Sequence, residues 1–273
     1  MIHPTAVVDP SVHLGSNVRI GAFALVEPGV TLGDSCHVAD HAVVRTGSDI
    51  GPGALIDSYA VVGGLPQMRV ECVPTGRVRI GARSILREGV TINRATTPNG
   101  LTSIGDDCFL MAHSHVGHDS TVGNSVTLAN NVMLAGHVQV GDGVFLGGGA
   151  GVHQFVRIGR GAMIGGNASI SYDVPPFAIA VERNEVRGLN LVGIRRSKMP
   201  EGVVADLKRC YHAVYCGPGD LRRRAERALN EARLGTEPEG RCFLEFFVGG
   251  KRGFARSRNE RASSNAVDGE HVV

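Results

Sequence analysis

An aliphatic residue recurs at every sixth position over most of this chain, from Ile2 to Ile170. Of the 29 positions in that phase, 26 are Ile, Leu or Val, and the exceptions are Met68, Pro74 and Pro98. A fixed period over so long a stretch is typical of a repeat architecture, in which each short unit buries its apolar face against the next. The repeat therefore constrains the fold more strongly than any local helix or strand propensity.

The other positions of the hexad fit a short strand followed by a turn. Glycine often follows the large aliphatic residue, as at Gly117, and a small residue often comes four positions after it, as at Ala162. Each hexad thus offers one large and one small inward side chain. We predict a mainly β fold, a parallel β-solenoid over residues 1–176, which ends where Pro175 and Pro176 cannot donate ladder hydrogen bonds.

Two interruptions and a change of composition divide the chain. The hexads break at residues 64–79 and 94–101, and insertions into a solenoid often lie on its binding face. Residues 177–250 are more basic and carry apolar residues at helical spacing, with Asp220 as a candidate N-cap, so we predict a small α-helical C-terminal domain there. We predict that the polar segment 251–273 is a disordered tail.

The composition argues against several classes of protein. A formal net charge of +2 gives no global signal for nucleic-acid binding. The six cysteines show no metal-type spacing, which favours reduced thiols in a cytoplasmic protein. The N-terminus lacks a basic segment followed by an apolar run, and no apolar stretch reaches about 18 residues, so we expect neither a signal peptide nor an integral membrane segment.

Histidines are concentrated in one part of the repeat. Five of the eleven lie between residues 113 and 153: His113, His115, His118, His137 and His153. If three hexads make one coil, residues 18 apart stack about 4.8 Å from one another. His118, Gly136 and Gln154 then share one edge of the solenoid, flanked by His137 and His153.

One member of this row is suited to proton transfer. His118 is followed directly by the carboxylate of Asp119, and this pair suits general-base catalysis near neutral pH. No serine or cysteine stands in an obvious nucleophile motif, which favours direct transfer to a bound substrate hydroxyl over a covalent intermediate. A glycine near the row could expose a backbone N–H as an oxyanion donor.

Besides the hexad repeat, the chain contains short sequence motifs that point to a known family. They are His115-Val116-Gly117-His118-Asp119, Leu134-Ala135-Gly136-His137, Val152-His153-Gln154-Phe155 and Gly188-Leu189-Asn190. With them the chain resembles, over most of its length, the UDP-N-acetylglucosamine O-acyltransferases, hexapeptide-repeat enzymes that begin lipid A biosynthesis. The resemblance implies a left-handed β-helix, a homotrimer, and transfer of a (3-hydroxy)acyl chain from phosphopantetheinylated acyl carrier protein to the 3-position of UDP-N-acetylglucosamine, without metal or cofactor.

The resemblance also implies roles for individual residues. His118 would deprotonate the sugar 3-hydroxyl, Asp119 would orient it, and the backbone N–H of Gly136 would bind the oxyanion. The implied substrate-binding residues are Gln67, Arg69, Asn93, His115, His137, His153, Gln154, Gly166, Asn190 and Arg196. Within that set, Asn190 and Arg196 would contact the uridine diphosphate, and Gly166 occupies the position that measures acyl length.

The basic residues of the helical region are predicted to dock the acidic carrier protein, since opposite charge steers such encounters. They are Arg195, Arg196, Lys198, Lys208, Arg209, Arg222, Arg223 and Arg224.

Departures from the family pattern leave the acceptor open. Gln67 stands where an aspartate is usual, Arg69 replaces a lysine, Asn93 a histidine and Val192 an acidic residue. These positions cluster near the expected sugar and nucleotide, so the 3-amine of a UDP-diamino sugar is an alternative acceptor.

Three other interpretations stay open at this stage. The first is an acetyltransferase that uses acetyl-coenzyme A. The second is a γ-type zinc carbonic anhydrase with His113 and His118 as ligands, although no histidine between His41 and His113 supplies the third ligand. The third is a scaffold without catalytic activity, which the intact His118–Asp119 pair disfavours.

Overall fold

The hexads form a three-sided parallel β-helix. The structure, a computed structural model, describes residues 1–69 and 76–257. Its strands are numbered in chain order, and up to β25 every third strand belongs to the same sheet, so each coil contributes one short strand to each of three sheets. The predicted fold class is confirmed: a left-handed β-helix of hexapeptide repeats is followed by a few helices.

The three sheets are named here by the order in which the chain first enters them. Sheet 1 contains β1 (Val7–Val8), β4 (Leu25–Val26), β7 (Val43–Val44), β10 (Val61–Gly64), β13 (Thr91–Asn93), β16 (His115–Val116), β19 (Met133–Leu134), β22 (Gly151–Val152) and β25 (Ser169–Ile170). Sheet 2 contains β2 (His13–Leu14), β5 (Thr31–Leu32), β8 (Ser48–Ile50), β11 (Arg77–Ile80), β14 (Leu101–Ile104), β17 (Thr121–Val122), β20 (Gln139–Val140) and β23 (Arg157–Ile158). Sheet 3 contains β3 (Arg19–Ile20), β6 (His37–Val38), β9 (Leu55–Ile56), β12 (Ile85–Leu86), β15 (Phe109–Leu110), β18 (Thr127–Leu128), β21 (Phe145–Leu146), β24 (Met163–Ile164), β26 (Ala178–Val181), β27 (Glu185–Leu189) and β28 (Arg256–Ser257).

The register of the coils agrees with three hexads per turn. Val116 pairs with Leu134 and Leu128 with Leu146, in each case 18 residues on. The spacing widens only at the two interruptions, where Thr91 pairs with Val61 on one side and with His115 on the other. Both interruptions end earlier than predicted, because β11 already pairs from Arg77 and β14 from Leu101, and the ladder of coils continues on either side of them.

The core is a ladder of the large aliphatic residues, with the small residues filling the space beside them. Leu110, Leu128 and Leu134 are fully buried, and so is the small residue Ala162. The large aliphatic side chains stack on one another in successive coils, as Val116 and Leu134 do, so each coil buries its neighbour's apolar surface. This stacking fixes the backbone of each corner between two strands, and the functional residues described below lie at such corners.

The C-terminal region packs four helices against the last coils. They are α1 (Leu191–Arg196), α2 (Glu201–Tyr215), α3 (Leu221–Leu229) and α4 (Pro238–Glu245). Asp220 is the N-cap of α3, as predicted, because its side chain accepts a hydrogen bond from the N–H of Arg223. None of the helices in the described ranges has the length and apolar composition of a membrane span.

A buried ion pair joins the helices to the top of the β-helix. Asp173 is fully buried, and the Nε of Arg157 donates to its carboxylate at 2.7 Å. The same guanidinium donates to the carbonyls of Phe246 and Gly249 and lies over the ring of Phe246. One arginine thus ties the last coils to the chain that follows α4.

The prediction of a disordered tail from residue 251 is wrong for residues 251–257. Phe254 and Ala255 are buried, and the strand β28 pairs in parallel with β27. The ring of Phe254 packs 4.8 Å from that of Phe247, so two apolar residues are enough to fix an otherwise polar segment. Residues 258–273 lie outside the described part of the chain.

Candidate active site

His118 and Asp119 form a hydrogen-bonded pair at the corner between β16 and β17. The Nδ1 of His118 lies 2.9 Å from Oδ2 of Asp119, and both side chains are about 15% exposed. Asp119 has φ of 58°, the left-handed conformation that corner residues adopt throughout this β-helix. That conformation is unfavourable for most residues, but here the coils above and below hold the corner in place.

Two threonines that the sequence did not single out hold Asp119, Thr96 at its carboxylate and Thr102 at its backbone N–H. The hydroxyl of Thr96 donates to Oδ2 at 2.8 Å, and the N–H of Asp119 donates to the hydroxyl of Thr102 at 2.8 Å. Thr96 lies in the second insertion, so that loop packs against the site. Burial alone would raise the pKa of Asp119, but the hydrogen bonds from His118 and Thr96 outweigh it and lower the pKa.

These contacts determine which nitrogen of His118 is available. An ionised carboxylate can only accept hydrogen bonds, so the Nδ1 of His118 carries the proton in the neutral ring. This tautomer is assigned from the hydrogen bond with Asp119. The other nitrogen, Nε2, is then an acceptor with a lone pair, as a general base requires.

Gly136 lies one coil above His118, as predicted, and leaves room for the imidazole. A Cβ at position 136 would lie 2.6 Å from both Cε1 and Nε2 of His118, closer than any real contact. Only glycine allows the ring of His118 to lie against the backbone at this corner.

The backbone N–H of Gly136 is without the carboxylate cap that several N–H groups have at the other two corners of the β-helix. There the N–H at the same hexad position donates to an aspartate carboxylate one coil on: Ser16 to Asp34, Ala22 to Asp40 and Asn124 to Asp142. Within the described ranges, the N–H of Gly136 donates to no protein acceptor. Gly136 itself is buried, and a buried N–H without an acceptor is rare in folded proteins.

His137 and Phe155 extend the row over the next two coils. The ring of His137 meets that of His118 edge-on, with centroids 5.1 Å apart, and stacks on Phe155 at 4.6 Å. His137 Nε2 lies 3.9 Å from Oδ2 of Asp119. The sequence prediction included His137 but omitted Phe155, although a spacing of 18 residues from His137 could have identified it.

His115 and Asn93 lie beside the pair and face the first insertion. His115 shares a 2.8 Å hydrogen bond with the hydroxyl of Thr91, and burial, followed by the nearby His118, lowers its pKa, so the ring is neutral at pH 7. The side chain of Asn93 is buried and donates to the carbonyl of Leu65 at 2.8 Å. Asn93 thus fixes the start of the loop that carries two exposed predicted residues, Gln67 and Arg69. Residues 70–75 of the loop are outside the described ranges.

The remaining predicted residues lie at other places on the same chain. His153 and Gln154 are at the catalytic corner but two coils above His118, where Arg252 contacts both. Asn190 caps α1 and donates to the carbonyl of Gly161 at the corner between sheets 2 and 3. The structure does not bring these residues against His118.

Two further predicted residues are also remote from His118. Arg196 is exposed at the end of α1. Gly166 is exposed near the third corner, between sheets 3 and 1, one coil above Gly148. A site that used all of the predicted residues would need groups from more than one copy of the chain.

The site also holds a set of metal-type donor atoms. His118, Asp119 and His137 each contribute one donor atom, and these three atoms lie within 4.8 Å of one another. Two imidazoles and a carboxylate are a set of ligands that binds zinc in proteins. The Oδ2 of Asp119 already accepts from His118 and Thr96. His113, the other candidate ligand of the anhydrase interpretation, lies at a different corner, against Gly89.

We predict that Gly136→Ala displaces the imidazole of His118, because the added methyl group would occupy the space of the ring. The hydrogen bond between His118 and Asp119 should then be lost, together with the downfield proton NMR signal of its Nδ1–H. Gly148→Ala is the matched control, because Gly148 has the same place in its hexad and an added Cβ would meet only one carbonyl oxygen, at 3.3 Å. A Gly136→Ala variant that kept the downfield signal unchanged would contradict this account.

Known family models match both the β-helix and the C-terminal helical region of the chain. Residues 173–255 match the family model described as Udp N-acetylglucosamine O-acyltransferase, domain 2. Residues 11–46 and 101–136 match the bacterial transferase hexapeptide model, and residues 137–172 match the hexapeptide repeat of succinyl-transferase.

Similar proteins cover nearly the whole chain. The acyl-[acyl-carrier-protein]–UDP-N-acetylglucosamine O-acyltransferase of Xanthomonas oryzae pv. oryzae is 41% identical over 259 residues, which is 94% of this chain and 98% of the relative. The Paraburkholderia xenovorans protein of the same name is 47% identical over 78% of this chain and 82% of its own length. Among solved structures, the UDP-N-acetylglucosamine acyltransferase of Campylobacter jejuni has a TM-score of 0.88 at 36% identity, covering 94% of this chain and 100% of that chain. The Francisella novicida enzyme has a TM-score of 0.91 at 29% identity, covering 96% of each chain. The chain therefore belongs to the UDP-N-acetylglucosamine O-acyltransferase family.

Proposed function

We propose that this protein transfers a (3-hydroxy)acyl chain from acyl carrier protein to the 3-hydroxyl of UDP-N-acetylglucosamine, the first step of lipid A biosynthesis. The observation that carries the proposal is the His118–Asp119 pair packed beneath an N–H of Gly136 that has no protein acceptor. The names of the relatives supply the acyl donor and the sugar acceptor.

In this mechanism His118 transfers the proton, and the N–H of Gly136 stabilises the negative charge of the oxyanion. Nε2 of His118 removes the proton from the 3-hydroxyl as the sugar oxygen attacks the thioester carbonyl. The oxyanion of the tetrahedral intermediate accepts a hydrogen bond from the N–H of Gly136. Asp119 stabilises the imidazolium, which returns the proton to the departing thiolate, so the products are the O-acylated sugar and the free carrier thiol.

The acyl chain arrives activated as a thioester, so the proposed reaction requires neither a cofactor nor a metal. Gly166 has no side chain and lies above Gly148, which is also without one, so this surface leaves space for an acyl chain. We propose that Gly166 limits the acyl length, and that Asn190 supports the nucleotide site by fixing the start of α1, from which Arg196 reaches the diphosphate.

We predict that His118→Ala lowers kcat by about 10²–10⁴, the usual effect of losing a general base, while the affinity for the UDP-sugar changes little. Asp119→Asn should lower kcat as well, because an amide stabilises the imidazolium less well than a carboxylate. His113→Ala is the matched control, since His113 is a corner histidine of the same coil at a different corner. The measurement is steady-state kinetics with mass spectrometry of the product. Wild-type rates in His118→Ala would rule out this mechanism.

The same assay separates the alternatives. A panel of UDP-sugars distinguishes a 3-hydroxyl from a 3-amine acceptor, and acetyl-coenzyme A in place of acyl carrier protein tests the acetyltransferase. We predict full acyl transfer after treatment with a chelator. Loss of activity on chelation, with recovery on adding zinc, would instead assign a metal to the donor set of His118, Asp119 and His137.

We propose that the active protein is a homotrimer. The outer face of sheet 1 carries apolar side chains at Val7, Leu25, Val43 and Val61 and again at Met133, with Thr91 and His115 in between. The outer face of sheet 3 carries Leu55, Ile85, Phe109, Phe145 and Met163, with Thr127 between the two phenylalanines. The corner between these sheets carries a stack of three rings, Phe23, His41 and Tyr59. Two different apolar faces on one chain suit a heterologous contact that closes into a ring.

This arrangement would also complete the site. In a ring, sheet 1 of one copy, with His115 beside its catalytic corner, meets sheet 3 of the next copy, near Gly166. The cleft between copies then combines predicted residues that are far apart on a single chain.

We predict that Val43→Glu converts the trimer to monomers and removes most of the activity, because it places a charge in an apolar contact. Thr31→Glu, on the exposed outer face of sheet 2, is the matched control and should remain trimeric. Light scattering at the concentration used for the assay measures both outcomes. A fully active monomer would exclude the proposed cleft.

We propose that the basic face of the helices docks the carrier protein in the cytoplasm. Arg195, Arg196, Lys198 and Lys208 are exposed, as is Arg223 on α3. Arg224 differs from them, because it is buried and donates twice to the carbonyl of Gly219. The described cysteines are free thiols, which supports a reducing compartment.

A further inference from the structure

A cavity of about 520 Å³ lies between α3 and the chain that follows α4. Among the residues that the structure describes, four arginines line it: Arg222, Arg224, Arg252 and Arg256. The lining also includes the loop 217–220 and the ring of Phe254, and Asp220 is the one acidic residue among the lining residues that the structure describes. So large an excess of guanidinium groups around one cavity indicates a ligand with negative charge.

Three of these arginines, Arg222, Arg224 and Arg252, are held by contacts with the protein. Nε and Nη2 of Arg224 donate to the carbonyl of Gly219 at 3.1 and 2.6 Å, with the side chain buried. The guanidinium of Arg222 lies 5.7 Å from the centroid of Phe254. Asp220 accepts from the N–H of Arg223 as the N-cap of α3, so its charge is already engaged in capping the helix. The groups therefore need little rearrangement to bind an anion.

The cavity is connected to the catalytic corner through Arg252. Nη2 of Arg252 lies 2.8 Å from Nδ1 of His153 and donates to the carbonyl of Gln154 at 3.1 Å. Gln154 is two coils above His118, and coils stack about 4.8 Å apart, so the two residues are separated by roughly 10 Å along the corner. One wall of the cavity is thus next to the end of the histidine row.

We propose that this cavity binds the phosphodiester of the carrier protein's prosthetic arm, and that the arm runs down the corner from Arg252 to Gly136. The proposal rests on the proposed acyl transfer. The arm of such a donor is an extended chain with two amide bonds, comparable to about four residues, and therefore spans roughly 13 Å. That reach is sufficient to bring the thioester to the N–H of Gly136 when the phosphate is held among the arginines.

The nucleotide diphosphate is the other phosphate source in the reaction. Its predicted contacts, Asn190 and Arg196, are on α1, and the side chain of Asn190 bonds to Gly161 at a different corner. The cavity instead lies beside the end of the row at the catalytic corner, on the side from which the donor thioester would be delivered. We therefore assign it to the donor.

The test compares two small donors that differ only in the phosphate, acyl-phosphopantetheine and acyl-pantetheine. The wild-type enzyme should show kcat/KM about tenfold higher for the phosphorylated donor, as expected for charge-assisted hydrogen bonds at a partly exposed site. Arg222→Ala and Arg256→Ala should reduce that preference to about threefold or less, and the double variant should abolish it. Arg227→Ala, an exposed arginine of the same helix outside the cavity, is the matched control and should retain the full preference.

The possible outcomes separate this proposal from the proposed function. If the wild-type enzyme uses both small donors equally well, the cavity is not the phosphate site, whereas acyl transfer itself stands. If the arginine variants raise KM for the UDP-sugar and leave the donor preference unchanged, the cavity belongs to the nucleotide and the assignment is wrong. If no donor supports transfer, including acyl carrier protein, the proposed function and this proposal both fail. The wild-type comparison does not depend on the folding of any variant.

Discussion

The stacking of coils at intervals of 18 residues is the constraint on which the rest of this structure depends. Because Val116 pairs with Leu134, His118 lies directly under Gly136, and a Cβ at that position would lie 2.6 Å from its ring. The same register places His137 beside the pair. A shift by a single hexad would move Gly136 to another corner, so the aliphatic ladder in the core determines the geometry of the site.

The periodic part of the site could therefore be predicted from the sequence, but its supporting contacts could not. His118, Gly136 and Gln154 follow from the period once three hexads are taken as a coil. Thr96 lies in an insertion, and no period describes the path of an inserted loop. Its hydrogen bond to Asp119 depends on how that loop folds back, which only the three-dimensional structure defines.

The wrong prediction of disorder from residue 251 has a similar cause, because specific contacts of single residues cannot be read from a pattern. Composition predicted a disordered tail from residue 251, since the segment is mainly polar. Phe254 and Ala255 nevertheless find buried places, and the backbone of residues 253–255 bonds to that of Asp173. Composition averages over a segment, whereas a single well-placed aromatic residue can order it. The ordered residues include Arg252, which lies between the histidine row and the arginine cavity.

His118 and His153, at the two ends of the row, differ in the charge of their neighbours, Asp119 and Arg252, and this gives their rings different hydrogen-bonding roles. Asp119 accepts from Nδ1 of His118, which leaves Nε2 as a base. Arg252 can only donate, so its 2.8 Å contact makes Nδ1 of His153 an acceptor and places the proton on Nε2. A longer contact of Nδ1 with the carbonyl of Gln154, at 3.3 Å, would favour the opposite tautomer, but the shorter, charged contact is the stronger. With its proton on Nε2, the ring of His153 suits hydrogen-bond donation to a bound substrate rather than proton abstraction. Of the two, His118 alone combines a free acceptor nitrogen with a carboxylate that stabilises its protonated form.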